Sequence, residues 1–147
     1  MAEIDVTQSE ADGLLAMEKI RADDKEYEYP TAGVVNIPLV SRDRTESFLL
    51  DIRRARLDIS KVTYQNRARH VIVLVRVDLN GAPHRNPDGQ EVPCPHLHRY
   101  REGFADKWAD PLPQPPFTNP TDLWQTLQEF LQFCNVTELP TINRGLF

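Results

Sequence analysis

Apolar and polar positions follow two different spacings along this chain. Ala11, Leu14, Leu15, Met17 and Ile20 recur at helical spacing behind Thr7, and Glu10 three residues on completes a capping-box pattern. The spacing predicts a helix over residues 8–21 with an acidic outer face. Asp23 to Pro30 is then a charged connector, closed by a proline that disfavours helix before it. From Gly33 the period falls to two. Val35, Ile37 and Leu39 alternate, then Phe48, Leu50 and Ile52, with a polar turn at Ser41 to Thr45 between them. Leu57, Ile59, Val62 and Tyr64 extend the pattern. His70 to Asn80 is the clearest strand, rich in β-branched residues, with Val71, Val73, Val75, Val77 and Leu79 on one face.

Asn80-Gly81 is a turn signal, and residues 82–93 read as a loop with its own Asp88-Gly89 turn. A short extended segment, His96 to Arg101, follows and is expected antiparallel beside the His70–Asn80 strand. Five prolines between Asp110 and Pro120 exclude helix interior and central strand there, leaving an extended crossing over residues 110–120. Asn119 as N-cap, with Pro120 in the first turn, predicts a second helix over 120–135, apolar at Leu123, Trp124, Leu127, Phe130, Leu131 and Cys134. The tail from Val136 is short and mixed. The expected fold is a single α+β domain over residues 1–147, an antiparallel β-meander within residues 33–101 carrying an N-terminal and a C-terminal helix on one face.

Composition narrows the class. A chain of 147 residues with 40% hydrophobic and 27% charged side chains has ordinary globular values. No apolar run approaches a membrane span, and the acidic start Met1 to Asp5 lacks the features of a signal peptide. Two cysteines, Cys94 and Cys134, make no disulfide framework, so a reduced, cytoplasmic protein is expected. Net charge is −5, which argues against a general nucleic-acid binder. The charge is unevenly placed, however. Residues 42–101 carry 12 basic and 7 acidic side chains, and Lys61 is the only lysine among them. Arginine's planar fork suits phosphate or carboxylate recognition, although pairing with the acidic flanks across the fold accounts for the same block equally well.

Candidate chemistry concentrates in Cys94-Pro95-His96-Leu97-His98-Arg99-Tyr100-Arg101. In an extended segment His96, His98 and Tyr100 share a face, with the two histidine Cα atoms about 6.5–7 Å apart. Two imidazoles so placed can serve as general base and general acid in RNA cleavage through the 2′-hydroxyl. Arg76, Arg85, Arg99 and Arg101 are the candidate phosphate contacts and Tyr100 a candidate base-stacking residue, though strict alternation points Arg99 and Arg101 away. No cofactor is expected. If a metal binds, Cys94, His96 and His98 are its candidate ligands. His96-x-His98 with Glu102 resembles part of the metal signature of cupin barrels, but Gly89 is displaced by one residue and no histidine follows His98. Cys134 lies on the apolar stripe of the second helix and reads as core.

Leu49-Leu50-Asp51-Ile52, Ser60 to Gln65, Asn86-Pro87-Asp88-Gly89, Cys94 to His98 and the terminal Arg144-Gly145-Leu146-Phe147 resemble an uncharacterised family of small bacterial and prophage-encoded proteins. That resemblance covers most of the chain and implies no activity. More loosely, the order of strands, His-x-His and a leucine- and phenylalanine-rich helix is similar to small ribonuclease-like toxins of toxin–antitoxin modules. The resemblance implies a mobile-element protein acting on RNA through His96 and His98, with an antitoxin as partner. The alternatives are a non-catalytic inhibitor of a host complex and a small metal-binding enzyme.

Overall fold

A computed structural model describes residues 4–145. The start Met1 to Glu3 and the final Leu146-Phe147 lie outside the described residues. In chain order the elements are α1 (Gln8–Ala16), β1 (Lys19–Arg21), β2 (Glu26–Glu28), β3 (Gly33–Ser41), β4 (Ser47–Arg54), β5 (Val62–Ala68) and β6 (Ile72–Leu79). They continue with β7 (His84–Arg85), β8 (Glu91–Val92), β9 (His96–Arg99), β10 (Ala109–Pro111), α2 (Leu123–Phe133), β11 (Val136–Glu138) and β12 (Thr141–Asn143). Eight strands form one sheet in the order β10-β9-β6-β5-β4-β3-β1-β11, antiparallel except where β1 meets β11. No helix among the described residues is long and apolar enough to cross a membrane.

One face of this sheet is apolar. Ile37, Leu50, Ile52, Tyr64, Val75, Val77 and Leu97 are buried in a single cluster that also takes in Leu14 and Leu15 of α1 and Leu127, Phe130 and Leu131 of α2. The strongest strand departs from its expected alternation. Asn66 pairs with Val75 but Arg67 with Val73, so Leu74 is an extra residue, a β-bulge. The bulge switches parity. Ile72 and Leu74 are buried, as are Val75, Val77 and Leu79, whereas Val73 is half-buried and Val71 exposed. The strand also starts later than expected, because Arg69 and His70 both take positive φ in the tight β5–β6 turn.

Other boundaries move for identifiable reasons. Thr7 caps α1 as expected, its hydroxyl accepting from the Glu10 N–H. The helix ends at Ala16 rather than residue 21, because Lys19–Arg21 pairs with β3 and β11 instead. Lys19 is completely buried, and its ammonium donates to the carbonyls of Leu15, Met17 and Cys134. It therefore satisfies the open ends of both helices at once. α2 is capped by Asp122, not Asn119. The Asp122 carboxylate accepts from Gln125 N–H, and Asn119-Pro120 forms the preceding turn. Leu57 and Ile59 are exposed in the β4–β5 loop, not strand residues. The tail supplies two parallel partners, β11 for β1 and β12 for β2.

Candidate metal site

The face opposite the core is polar, and strand register arranges it in rows. One row crosses β4, β5, β6 and β9 as Arg53, Thr63, Asp78 and His96. The next crosses the same strands as Asp51, Gln65, Arg76 and His98. Such pairs stand about 4.5–5.5 Å apart at Cβ, close enough for side chains to bond along a row. They do. The Thr63 hydroxyl donates to Asp78 Oδ1 at 2.9 Å, and His96 Nε2 lies 3.0 Å from Asp78 Oδ2. An Arg76 NH2 group donates to His98 Nε2 at 3.1 Å. Asp51 holds Arg67 through two oxygens and also accepts from Gln65 and Asn36.

The rows converge where β6 meets β9. Asp78 Oδ2 lies 3.0 Å from His98 Nε2 as well as from His96 Nε2, and the three ligand-capable atoms lie within 4.8 Å of one another. Both rings are buried, His96 at 2% exposure and His98 at 1%, and they meet edge-on with centroids 5.0 Å apart. The β7–β8 hairpin supplies a third imidazole, His84, whose ring centroid is 4.5 Å from that of His98. Asn86 ties this hairpin to β10, exchanging two hydrogen bonds with the backbone of Ala109.

Neighbouring groups fix the orientation of these side chains. His98 Nδ1 donates to the Asp106 carbonyl at 2.8 Å, leaving Nε2 as the inward-facing atom. Arg76 is held at its other end by Asp106 Oδ2 at 2.7 Å. Burial works against ionisation of Asp78, but the hydrogen bond with His98, the charge of Arg76 and the Thr63 hydroxyl outweigh it. Its carboxyl is held well below the usual carboxylate range. A hollow of about 230 Å³ opens beside the cluster, lined by Lys61, Thr63, Arg76, Asp78, His84 and Cys94 among others.

The residues expected from sequence separate. His96 and His98 share a face. Arg76 joins them, and Arg99 and Arg101 do not. Arg99 reaches toward Asp12 of α1, and Arg101 stacks over Trp108 at 4.1 Å. Arg85 is exposed on the β7–β8 hairpin and does not line the hollow. Tyr100 departs from the pair's face because the chain leaves the strand after Arg99. Its ring is in the core, and its hydroxyl accepts from the Val6 N–H and donates to the Val6 carbonyl. Cys94 stands outside the converging set. Its Sγ is 3.5 Å from His96 Nδ1, the far side of the ring. Burial, with the charge of Asp78, pushes that thiol up, which disfavours a nucleophilic thiolate. Asp78 and Thr63 carry no motif, yet Arg76 and Asp78 alternating with Val75, Val77 and Leu79 mark a polar strand face.

A family model matches residues 6–136, from the lead-in to α1 through the start of β11. The chain belongs to the family of unknown function DUF6978. The matched span contains every residue of the site, so in this DUF6978 member the site lies within the family domain. No curated protein and no solved structure matches the chain.

Proposed function

We propose that this protein is a metalloenzyme in which Asp78, His96 and His98 hold a divalent first-row transition metal with an open coordination side. The observation that carries the reading is the approach of His98 Nε2 to Asp78 Oδ2. With Nδ1 donating to a carbonyl, His98 turns Nε2 toward a carboxylate oxygen 3.0 Å away, and the Arg76 guanidinium reaches both, NH2 at 3.1 Å from Nε2 and Nε at 3.4 Å from Oδ2. The atoms that face this cation are the donor types that hold a metal ion. Ligands bound at about 2.1 Å, with angles between a right angle and the tetrahedral value, stand about 3.0–3.4 Å apart. The separations of Asp78 Oδ2 from both imidazoles lie at the near end of that range.

Two nitrogens and one oxygen form a borderline-soft set that suits zinc, iron, cobalt or manganese. Three protein ligands leave a position for water or substrate, the arrangement of catalytic rather than structural sites. Arg76 now donates to His98 Nε2 and lies 3.4 Å from Asp78 Oδ2 through Nε, so metal entry requires the guanidinium to release both atoms while NH1 keeps Asp106. This geometry favours Lewis-acid chemistry over a metal-independent acid–base pair, because both inward-facing nitrogens are engaged at one carboxylate and both rings are buried.

Equilibrium dialysis against zinc, cobalt and manganese, followed by elemental analysis, tests the reading. One metal per chain is expected, with affinity reduced about 10–100-fold or more in Asp78→Asn and His98→Ala. The cobalt form should show visible absorption bands. A thermal midpoint that rises with metal and falls with chelator gives an independent readout. Wild-type protein that takes up no stoichiometric metal from any of the three would refute it.

A further inference from the structure

Beyond the metal itself, we infer that the site takes a phosphate group, seated over Thr63 between the metal side and the cations Arg53 and Lys61. The inference rests on the metal reading for the identity of the neighbouring centre. Three hollows meet at Thr63. The 230 Å³ hollow holds the Asp78–His96–His98 cluster. An open trough of about 590 Å³ runs along the polar rows from Asn36 to Asp78. A third, of about 380 Å³, lies between the β4 end and the β4–β5 loop. Thr63 lines all three, Lys61 the first and third, Arg53 the second and third, and Arg76 the first two.

Charge selects the ligand. In the trough Arg67 is neutralised by its two-point contact with Asp51. Arg53, Arg56 and Lys61 form no ion pair among the described residues, and all three are exposed. The carboxylate nearest to Lys61 in sequence, Asp58, accepts from the Ser60 hydroxyl and N–H and feels the charge of Lys61 without forming an ion pair with it. Arg53 and Asp78 are separated by a single residue, Thr63, along one row. Two strand spacings, about 10 Å, therefore separate their backbones, and an extended arginine crosses most of that distance. Arg76 is likewise held by Asp106 and Asp78, so Arg53 and Lys61 on one side and the metal on the other bracket a group of about the size and double charge of phosphate.

The cations surround one point and do not form a track. Elsewhere near the sheet, Arg42 pairs with Glu18 and Glu138, and Arg69 with Glu10 and Glu46. A polynucleotide needs phosphate contacts repeated along its length, against a net charge of −5. A single phosphate ester on a small molecule fits better.

Titration of the metal-loaded wild type with inorganic phosphate at low salt, followed by phosphorus NMR, tests this. Saturation at one phosphate per chain is expected, with the dissociation constant at least tenfold weaker in Arg53→Gln/Lys61→Gln. Both positions are exposed and neither is a metal ligand, so metal stoichiometry and thermal midpoint should not change. Acetate should bind at least tenfold more weakly than phosphate. Equal binding of phosphate by wild type and double variant overturns the proposal, as does equal binding of acetate. Tighter binding of a 20-nucleotide single-stranded RNA with a steep salt dependence also overturns it, in favour of a polyanion surface. The two readings fail separately. Metal bound with phosphate unaffected by the double variant removes the phosphate site alone. Phosphate bound by wild type without metal, and lost in the double variant, removes the metal alone.

Discussion

Lys19→Met should destabilise the protein by about 3–4 kcal/mol, although methionine nearly conserves the side chain's volume. The ammonium is completely buried and donates at 2.8, 2.9 and 2.8 Å to the carbonyls of Leu15, Met17 and Cys134. Leaving a buried acceptor unpaired costs roughly 1–3 kcal/mol, so three lost partners cost about 6. Something is returned. Burial pushes the Lys19 ammonium from 10.5 down to about 8, a cost of about 3 kcal/mol that methionine does not bear. The ammonium also lies 4.7 Å from the centroid of the Phe48 ring, a contact worth about 0.5–1 kcal/mol that is lost as well. The balance is a net loss of about 3–4 kcal/mol, or a midpoint about 6–16 °C lower for a domain of this size. Urea unfolding at pH 7, followed by circular dichroism, measures it, and an unchanged slope would show that the unfolded state is not what moved. A variant as stable as wild type would refute the argument that capping two helix ends outweighs burying the charge.

Two further outcomes test parts of the fold outside the site. Asp51 is held below its ordinary 3.8 because Arg67, Gln65 and Asn36 outweigh the burial that opposes its ionisation. A depressed folded-state value contributes stability above the unfolded value and loses it as pH falls through the folded one. Wild type should therefore lose stability more steeply than Asp51→Asn below about pH 4; parallel urea midpoints from pH 5 to 2.5 would contradict this. Tyr100→Phe strips the partner from both the N–H and the carbonyl of Val6, 94 residues away, and should cost about 1–3 kcal/mol by urea unfolding. A loss below about 0.5 kcal/mol would show that water replaces the hydroxyl.

By itself the sequence determined which segments alternate and which repeat at helical spacing. It located the capping threonine at residue 7 and the apolar stripe of α2, and it placed His96 and His98 on one strand face beside arginines. These are local properties, decided by neighbours two to four residues away. Alternation names a face but not a register. Which side chains meet across strands depends on turn geometry and on extra residues, and a slip of one moves every side chain to the other face. The paired positive φ of Arg69 and His70 and the bulge at Leu74 set that register here. Only then do Asp78 and Thr63 line up with His96, and Arg76 with His98. Lys19 was equally illegible as a cap, since its three acceptors come from the ends of two helices more than 100 residues apart in the chain. Tertiary packing also divided the arginines that the sequence presents as one basic block. Asp51 and Asp106 claim Arg67 and Arg76, Trp108 takes Arg101, and Arg53 and Lys61 form no ion pair among the described residues while lining hollows that Asp78 also lines.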